Sequence, residues 1–370
     1  MINKITAFVK KNTVAVIAFA AALITSFIVK PDTEYVGYFD FRTLTCLFCV
    51  LAVVCALKNV NFFYMLAHKI IRRFKTTRMC ILALVYITFI GSMLIANDMA
   101  LLTFLPLGYF VLDASGNRRH MAFTFIMQNI SANLGGMLTP FGNPQNLYLY
   151  SKFNIPELEF MKIMAPPFII SVVILTICCL FIPAEKISVP DEKIETPKER
   201  TIIYLILFAL AIAIVFRGVP YIVGLIVIPS VLFFMDRKAL KAVDYPLLFT
   251  FVFFFIFAGN MARIDIVRDV FSALLDKSTL IFSILSCQVI SNVPSAILLS
   301  QFTGNYADLL LGVNIGGVGT LIASLASLIT LREYSSHNPD RTGKYIGQFS
   351  VMNFAFLALL TVSMSFIKMF

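Results

Sequence analysis

Apolar residues run along this chain in stretches too long and too closely spaced for a water-soluble core. Thr13–Val29, Phe41–Leu57, Met164–Ile182 and Thr201–Phe216 each approach, with their flanks, the ~20 residues that cross a bilayer. Short polar connections separate them, so the pattern predicts spanning helices, which satisfy their own backbone where water is absent. Nine crossings are expected, at about 13–30, 41–57, 118–150, 160–182, 201–217, 220–235, 245–259, 306–331 and 346–367. The first, with its basic start, also fits a cleavable signal peptide. Its apolar run exceeds a typical signal core and no small-x-small site follows, so a retained span is preferred.

Two apolar stretches are interrupted in a way a lipid-facing helix would not choose. Met79–Leu112 carries Ala96-Asn97-Asp98 at its middle, and Ser278–Thr303 carries Ser291-Asn292-Val293. The first allows two short spans or a re-entrant hairpin, and basic flanks on both sides fit either. The polar tip favours a hairpin over 79–112, because non-helical backbone at depth is tolerated where it lines a cavity. A second hairpin is expected over 278–303, following a mixed-charge helix at 261–277 outside the membrane. The crossings at 118–150 and 306–331 are expected to be broken, and Phe62–Phe74 is amphipathic, as in a helix lying at the interface. Pro183–Arg200, with three prolines and nine charged residues, is the linker. It divides the chain into a first half, 1–182, and a second, 201–370.

Composition agrees with a membrane protein and not with a soluble one: 59% of the 370 residues are apolar and only 14% charged. The net charge of +10 would admit nucleic acid as a partner if the bases formed a patch. Instead they alternate between loops. Lys58, Lys69, Arg72, Arg73, Lys75 and Arg78 share one connection, whereas Pro31–Asp40 before it has acids and no base. That is the positive-inside pattern, and it places Lys4, Lys10, Lys11 and the N-terminus in the cytoplasm and the C-terminus outside. The seven cysteines lie in or beside apolar segments without metal-site spacing; the pair Cys178-Cys179 alone raises a thiophilic substrate such as arsenite.

The halves repeat one another. Asp40-Phe-Arg-Thr and Asp244-Tyr-Pro-Leu each open an apolar run that ends in an amphipathic helix, and the two hairpin tips follow. Asn133-Leu-Gly135-Gly136-Met-Leu-Thr139 then matches Asn314-Ile-Gly316-Gly317-Val-Gly-Thr320. Charge alone starts the two halves on opposite sides, so the repeats are inverted, an arrangement that points to a site at their interface.

The candidate chemistry gathers there. Gly-Gly within a crossing permits positive φ and close backbone approach, while neighbouring Asn and Thr supply amides and oxygens. Half-helix N-termini attract anions, and free carbonyls coordinate Na⁺; close helix packing is the plainer role for such glycines. Thr139-Pro140-Phe141-Gly142-Asn143-Pro144-Gln145-Asn146 holds two prolines and cannot be regular helix, which leaves a site lining or an external loop. Asp98 is an acid deep among apolar residues. Burial disfavours its charged form and a bound cation favours it, so it can exchange a proton for a cation, or it can cap the second hairpin arm. Arg217 is expected to snorkel, Arg332 and Glu333 to pair at a boundary, and His68, His120 and His337 to lie in polar or interfacial positions. No nucleophile–base motif and no P-loop is present, which argues against an enzyme or an ATP-driven pump.

At Ala96-Asn-Asp-Met-Ala-Leu, Asn133-x-Gly-Gly-x-x-Thr-Pro-x-Gly-Asn-Pro-Gln-Asn146 and Gln288-Val-Ile-Ser-Asn-Val-Pro-Ser295 the chain resembles the ion transporter superfamily. That group includes arsenite permeases, NhaD-type Na⁺/H⁺ antiporters, citrate transporters and divalent anion:sodium symporters, and the likeness is strongest to its YbiR-like bacterial branch. The resemblance implies an all-α polytopic homodimer of the bacterial inner membrane, each subunit a scaffold plus an elevator-type transport domain. It implies carriage of a small anion coupled to Na⁺ or H⁺, with Na⁺/H⁺ antiport, arsenite or antimonite efflux and, from another class, a channel as alternatives. No cofactor is expected beyond the coupling ion. The implied site comprises Asn97, Asp98, Asn133, Gly135, Gly136, Thr139, Gly142, Asn143 and Asn146 from the first half, and Ser291, Asn292, Asn314, Gly316, Gly317, Thr320 and Ser324 from the second. One Na⁺ is expected near Asn97, Asp98 and Asn143, another near Asn292, Gly316 and Thr320. Both tips depart from the symporters' Ser-Asn-Thr, with Asp98 as in the permease and antiporter branch.

Overall fold

The computed structural model describes residues 13–187 and 194–367. Lys4, Lys10, Lys11 and the centre of the expected linker lie outside the described residues. Within them the chain is helical and forms no strand; an isolated bridge between Thr76 and Lys186 ties the linker's start to the first hairpin. Six of the described helices are long and apolar enough to cross a membrane, and Thr13–Ile28 and Tyr221–Met235 are apolar but shorter. Large side chains face outward, Phe27 76%, Phe181 82% and Phe234 82% exposed, while Asn97, Asn133, Asn146 and Asn314 are buried. Apolar surface outside and amides inside is the arrangement a lipid solvent selects.

Helices α1 (Thr13–Ile28) and α2 (Phe41–Asn59) are followed by the short amphipathic α3 (Phe62–Ile71). The first hairpin pairs α4 (Thr77–Ile95) with α5 (Asn97–Ala114). A broken segment follows, in which α6 (Met121–Gly135) and α7 (Pro144–Lys152) flank non-helical backbone, and α8 (Glu157–Leu180) closes the half. After the linker come α9 (Lys198–Val215), α10 (Tyr221–Met235), the short α11 (Arg237–Ala242) and α12 (Tyr245–Ala262). Then α13 (Asp265–Ile290) and α14 (Asn292–Leu299) form the second hairpin, α15 (Tyr306–Ile315) and α16 (Leu325–His337) the second broken segment, and α17 (Thr342–Ile367) the end. Non-helical backbone at Ser278 (φ −168°, ψ 97°) divides α13 into the helix expected to end at 277 and the first arm of the second hairpin, and the Ser278 hydroxyl accepts the Ile281 N–H at the start of that arm.

Corresponding elements are started alike. Asp40 accepts from the Thr43 N–H to cap α2, and Asp244 accepts from the Leu247 N–H to cap α12. α1 lies along α12, and α2 is held by α9, α10 and α11. α2 also packs on α7, and α12 on α14, yet among the described residues neither packs comparably on α5 or α16.

His68 lies on α3, the amphipathic helix where it was expected, and is buried beside the rings of Tyr64 and Phe110. Two expectations change. Arg217 does not snorkel. At φ 64° it turns back, sets its guanidinium 4.3 Å from the Tyr150 ring centre and donates to the Tyr150 carbonyl at 2.9 Å, bridging the α9–α10 turn to the end of α7. The Glu333 carboxylate lies 3.4 Å from the His337 ring, one turn on, and among the described residues it makes no ion pair with Arg332.

Candidate functional site

Each hairpin turns on one residue in a backbone conformation that L-residues rarely adopt: Ala96 at φ 66°, ψ 154° and Ser291 at φ 75°, ψ 160°. The asparagine that follows secures each tip. Asn97 accepts its neighbour Asp98's N–H at 2.9 Å and Asn292 accepts Val293's N–H at 2.9 Å. Their own N–H groups donate across to the broken segments, Asn97 to the Gly142 carbonyl at 3.2 Å and Asn292 to the Ala323 carbonyl at 2.9 Å. Thr139 and Thr320 return the link, donating to the carbonyls of Met93 and Gln288 at the ends of the first arms. Asn143 and Ser324 hold equivalent extended conformations just before α7 and α16.

The two halves meet at Asn133, Asn314 and Gly317. Asn97 donates to the Asn133 amide oxygen at 3.3 Å; Asn143 donates to the Asn133 carbonyl and, at 3.2 Å, to the Asn314 side chain; Asn314 donates to Asn146 at 2.6 Å. A Cβ on Gly317 would lie 3.2 Å from the Asn292 amide nitrogen and 3.6 Å from the Asn133 oxygen, so the second tip reaches that residue directly and the first reaches it through Asn133. Gly136 and Gly142 approach each other within the first break. Gly135 instead lies against the Phe89 backbone of α4, and Gly316 against Cys287 of α13, so these two let the helices pack closely. Positive φ is not what the glycine pairs supply: Gly135, Gly136 and Gly316 are all right-handed, and in the breaks only Gly319 (φ 123°) uses that freedom.

Amides clamp both breaks, and two of them, Gln288 and Gln145, were absent from the residues expected at the site. Asn146, which was expected, donates to the carbonyls of Gly136, Met137 and Thr139; its counterpart in the second break is Gln288, which donates to Gly316 and Val318 and accepts from the Thr320 N–H. Gln145 reaches the Asn314 side chain, at 3.4 Å. Gln288 opens the motif Gln288–Ser295, three residues before the tip, and that spacing was the available signal. The oxygens that remain are informative. Asp98 Oδ1, Asn143 Oδ1 and Gln145 Oε1 are enclosed without a hydrogen-bond donor, and acceptors in that condition are what a cation or a proton satisfies. Among the described residues no cluster of His, Cys, Asp and Glu could hold a transition metal.

Residues 2–315 match the family described as citrate transporter. The chain belongs to that family, within the ion transporter superfamily. It is 33% identical over 312 residues to the uncharacterized transporter MJ0456 of Methanocaldococcus jannaschii, covering 83% of this chain and 84% of that one. It is 28% identical over 306 residues to the inner membrane protein YbiR of Escherichia coli, covering 79% and 80%. A shorter match, 32% over 139 residues, joins it to the Na⁺/H⁺ antiporter NhaD of Vibrio parahaemolyticus, covering 35% and 34%. The protein is therefore a multi-pass membrane transporter and not an enzyme.

Proposed function

We propose that the protein is a secondary active transporter of a small inorganic or organic anion, coupled to Na⁺ or H⁺, in which two inverted repeats work by elevator-type alternating access. The observation that carries this reading is the meeting of the second tip's Asn292 with Gly317 and Asn133, which the first tip's Asn97 reaches, while Asp98, next to Asn97 in the chain, keeps a carboxylate oxygen with no donor. The anion is held by the N-terminal ends of α5, α7, α14 and α16 and by asparagine amides. The coupling ion uses Asp98 and the free amide oxygens near Asn97 and Asn143, with a second position near Asn292, Gly316 and Thr320. α2 and α12 belong to the scaffold, and their packing against α7 and α14 but not α5 and α16 fits a subunit closed to the outside and open to the cytoplasm. The working unit is a homodimer in the cytoplasmic membrane, N-terminus inside and C-terminus outside.

A second reading, Na⁺/H⁺ antiport without an anion, is favoured by the same carboxylate and by the likeness to an antiporter over a third of the chain. Thermal unfolding of the purified protein with Na⁺, Li⁺ and a panel of oxyanions, citrate and other carboxylates separates the two, since a ligand of the native state stabilises it by mass action. Stabilisation by an anion, strengthened by Na⁺ or by lower pH, supports the carrier. Stabilisation by Na⁺ alone, varying with pH, supports the antiporter and removes the carrier.

A further inference from the structure

Away from the hairpin tips, a cavity of about 130 Å³ lies between the end of α2, the start of α3 and the outer face of α5. Lys58, in the last turn of α2, is half-buried in its wall and has no ion-pair partner among the described residues. The polar lining is otherwise of donors and neutral oxygens. Asn61, Tyr64 and Thr103 contribute, and the first N–H groups of α3 carry no side-chain cap. No carboxylate lines it.

The cavity stands on the approach to the site. Asp98, Leu102 and Pro106 recur every fourth residue on α5 and so share one face, and Leu102 and Pro106 line the cavity. Leu102, 44% exposed, is one turn from Asp98, about 6 Å along the helix. The basic connection that begins at Lys58 marks this end as cytoplasmic.

We propose that this cavity is a second anion subsite, the cytoplasmic station at which a soluble oxyanion or carboxylate substrate is held by Lys58 before it reaches, or after it leaves, the hairpin tips. The inference rests on the anion-carrier reading and adds a residue that selects for negative charge. A partly desolvated ammonium without a counter-ion is satisfied by an anion, and the packing of α2 against α9, α10 and α11 fixes where that anion sits. A lipid phosphate offers the same chemistry from the membrane side, so the test separates the two sources.

The full chain in phosphatidylcholine nanodiscs is treated with an amine-reactive reagent, and labelling is read residue by residue with sulfate, phosphate, succinate or citrate as the probe. The expected result is that at least one probe, at ten times its dissociation constant, slows labelling of Lys58 about tenfold and leaves exposed Lys69 unchanged. In proteoliposomes, Lys58→Gln raises the half-saturating concentration of that probe at the cytoplasmic face about tenfold with maximal rate retained, and Lys58→Arg restores most of the affinity. Equal labelling with every probe, or a transported anion whose half-saturation ignores Lys58→Gln, overturns the proposal. Protection that needs phosphatidylglycerol and no probe assigns the cavity to lipid and overturns it too. Protection of Lys58 only by probes that are not transported, while another anion is, overturns the proposal of a substrate station and leaves the carrier reading standing.

Discussion

Asp98 has one carboxylate oxygen enclosed without a donor, and nothing in the fold requires an acid there: the tip is held by Asn97 and by the Gly142 carbonyl. Asp98→Asn is therefore expected to retain the fold, with a melting temperature within a few degrees of the original, and to lose coupled accumulation at least about a hundredfold. Flux assay and melting curve on one preparation check both. Gly317→Ala tests the meeting point. Its methyl would press on the Asn292 amide nitrogen and the Asn314 carbonyl at 3.2 Å, so ligand affinity should fall with a stability loss of about 1–3 kcal/mol. Gly135→Ala meets the Phe89 backbone, which cannot rotate away, and should fail to yield folded protein; thermal unfolding after purification separates the two cases. This division was hidden in the sequence, where both glycines of a pair look the same and only the facing helix decides which of them packs. Asn97 and Asp98 were legible because polar residues stand out within an apolar run. Gln288 was legible as the opening of the motif Gln288–Ser295 but its clamping role was not, since its partners are backbone atoms 28–32 residues on.

Among the elements, the hairpins carry their strain at one residue each. Ala96 sits where glycine is at ease and an alanine costs about 1–3 kcal/mol, so Ala96→Gly should raise the melting temperature by several degrees. Ser291→Gly relieves the same strain but removes a hydroxyl that donates to the Ala323 carbonyl, so its gain should be smaller. Unfolding of the two variants side by side checks the order. The Arg217–Tyr150 contact joins the α9–α10 turn to α7, and on the proposed reading it bridges scaffold and transport domain on the outer side. Arg217→Gln should loosen that side, and a cysteine-reactivity assay at Ser151→Cys should show at least about threefold faster labelling from outside. Helix positions were readable along the chain because a bilayer fixes how long an apolar helix must be. The break at Ser278 was readable as well, because the mixed-charge run ends at Lys277 and the apolar hairpin arm follows it.

Across the subunit, α7 packs on α2 and α14 on α12, and among the described residues neither α2 nor α12 packs comparably on α5 or α16. If the halves are inverted repeats, that inequality is what one end state of an alternating carrier should look like, and the opposite end state exchanges the pairs. The shared Asn-x-Gly-Gly motif was visible in the sequence because its residue types stand out within apolar runs; which helices pack on one another was not, since that depends on neighbours distant in the chain. The half-buried Lys58 was likewise invisible, as a lysine at the end of a span is ordinarily a cytoplasmic anchor. The proposed carrier stands on the movement of an anion being tied to a cation gradient through Asp98, and uptake into proteoliposomes measures that link itself. With an inward Na⁺ or H⁺ gradient, one labelled anion from a panel of oxyanions and carboxylates should accumulate above its external concentration, collapse when the gradient is abolished, and fail to accumulate with Asp98→Asn. Na⁺ and H⁺ exchange that proceeds without any anion, or anion accumulation that survives the loss of Asp98, would show that the link does not exist.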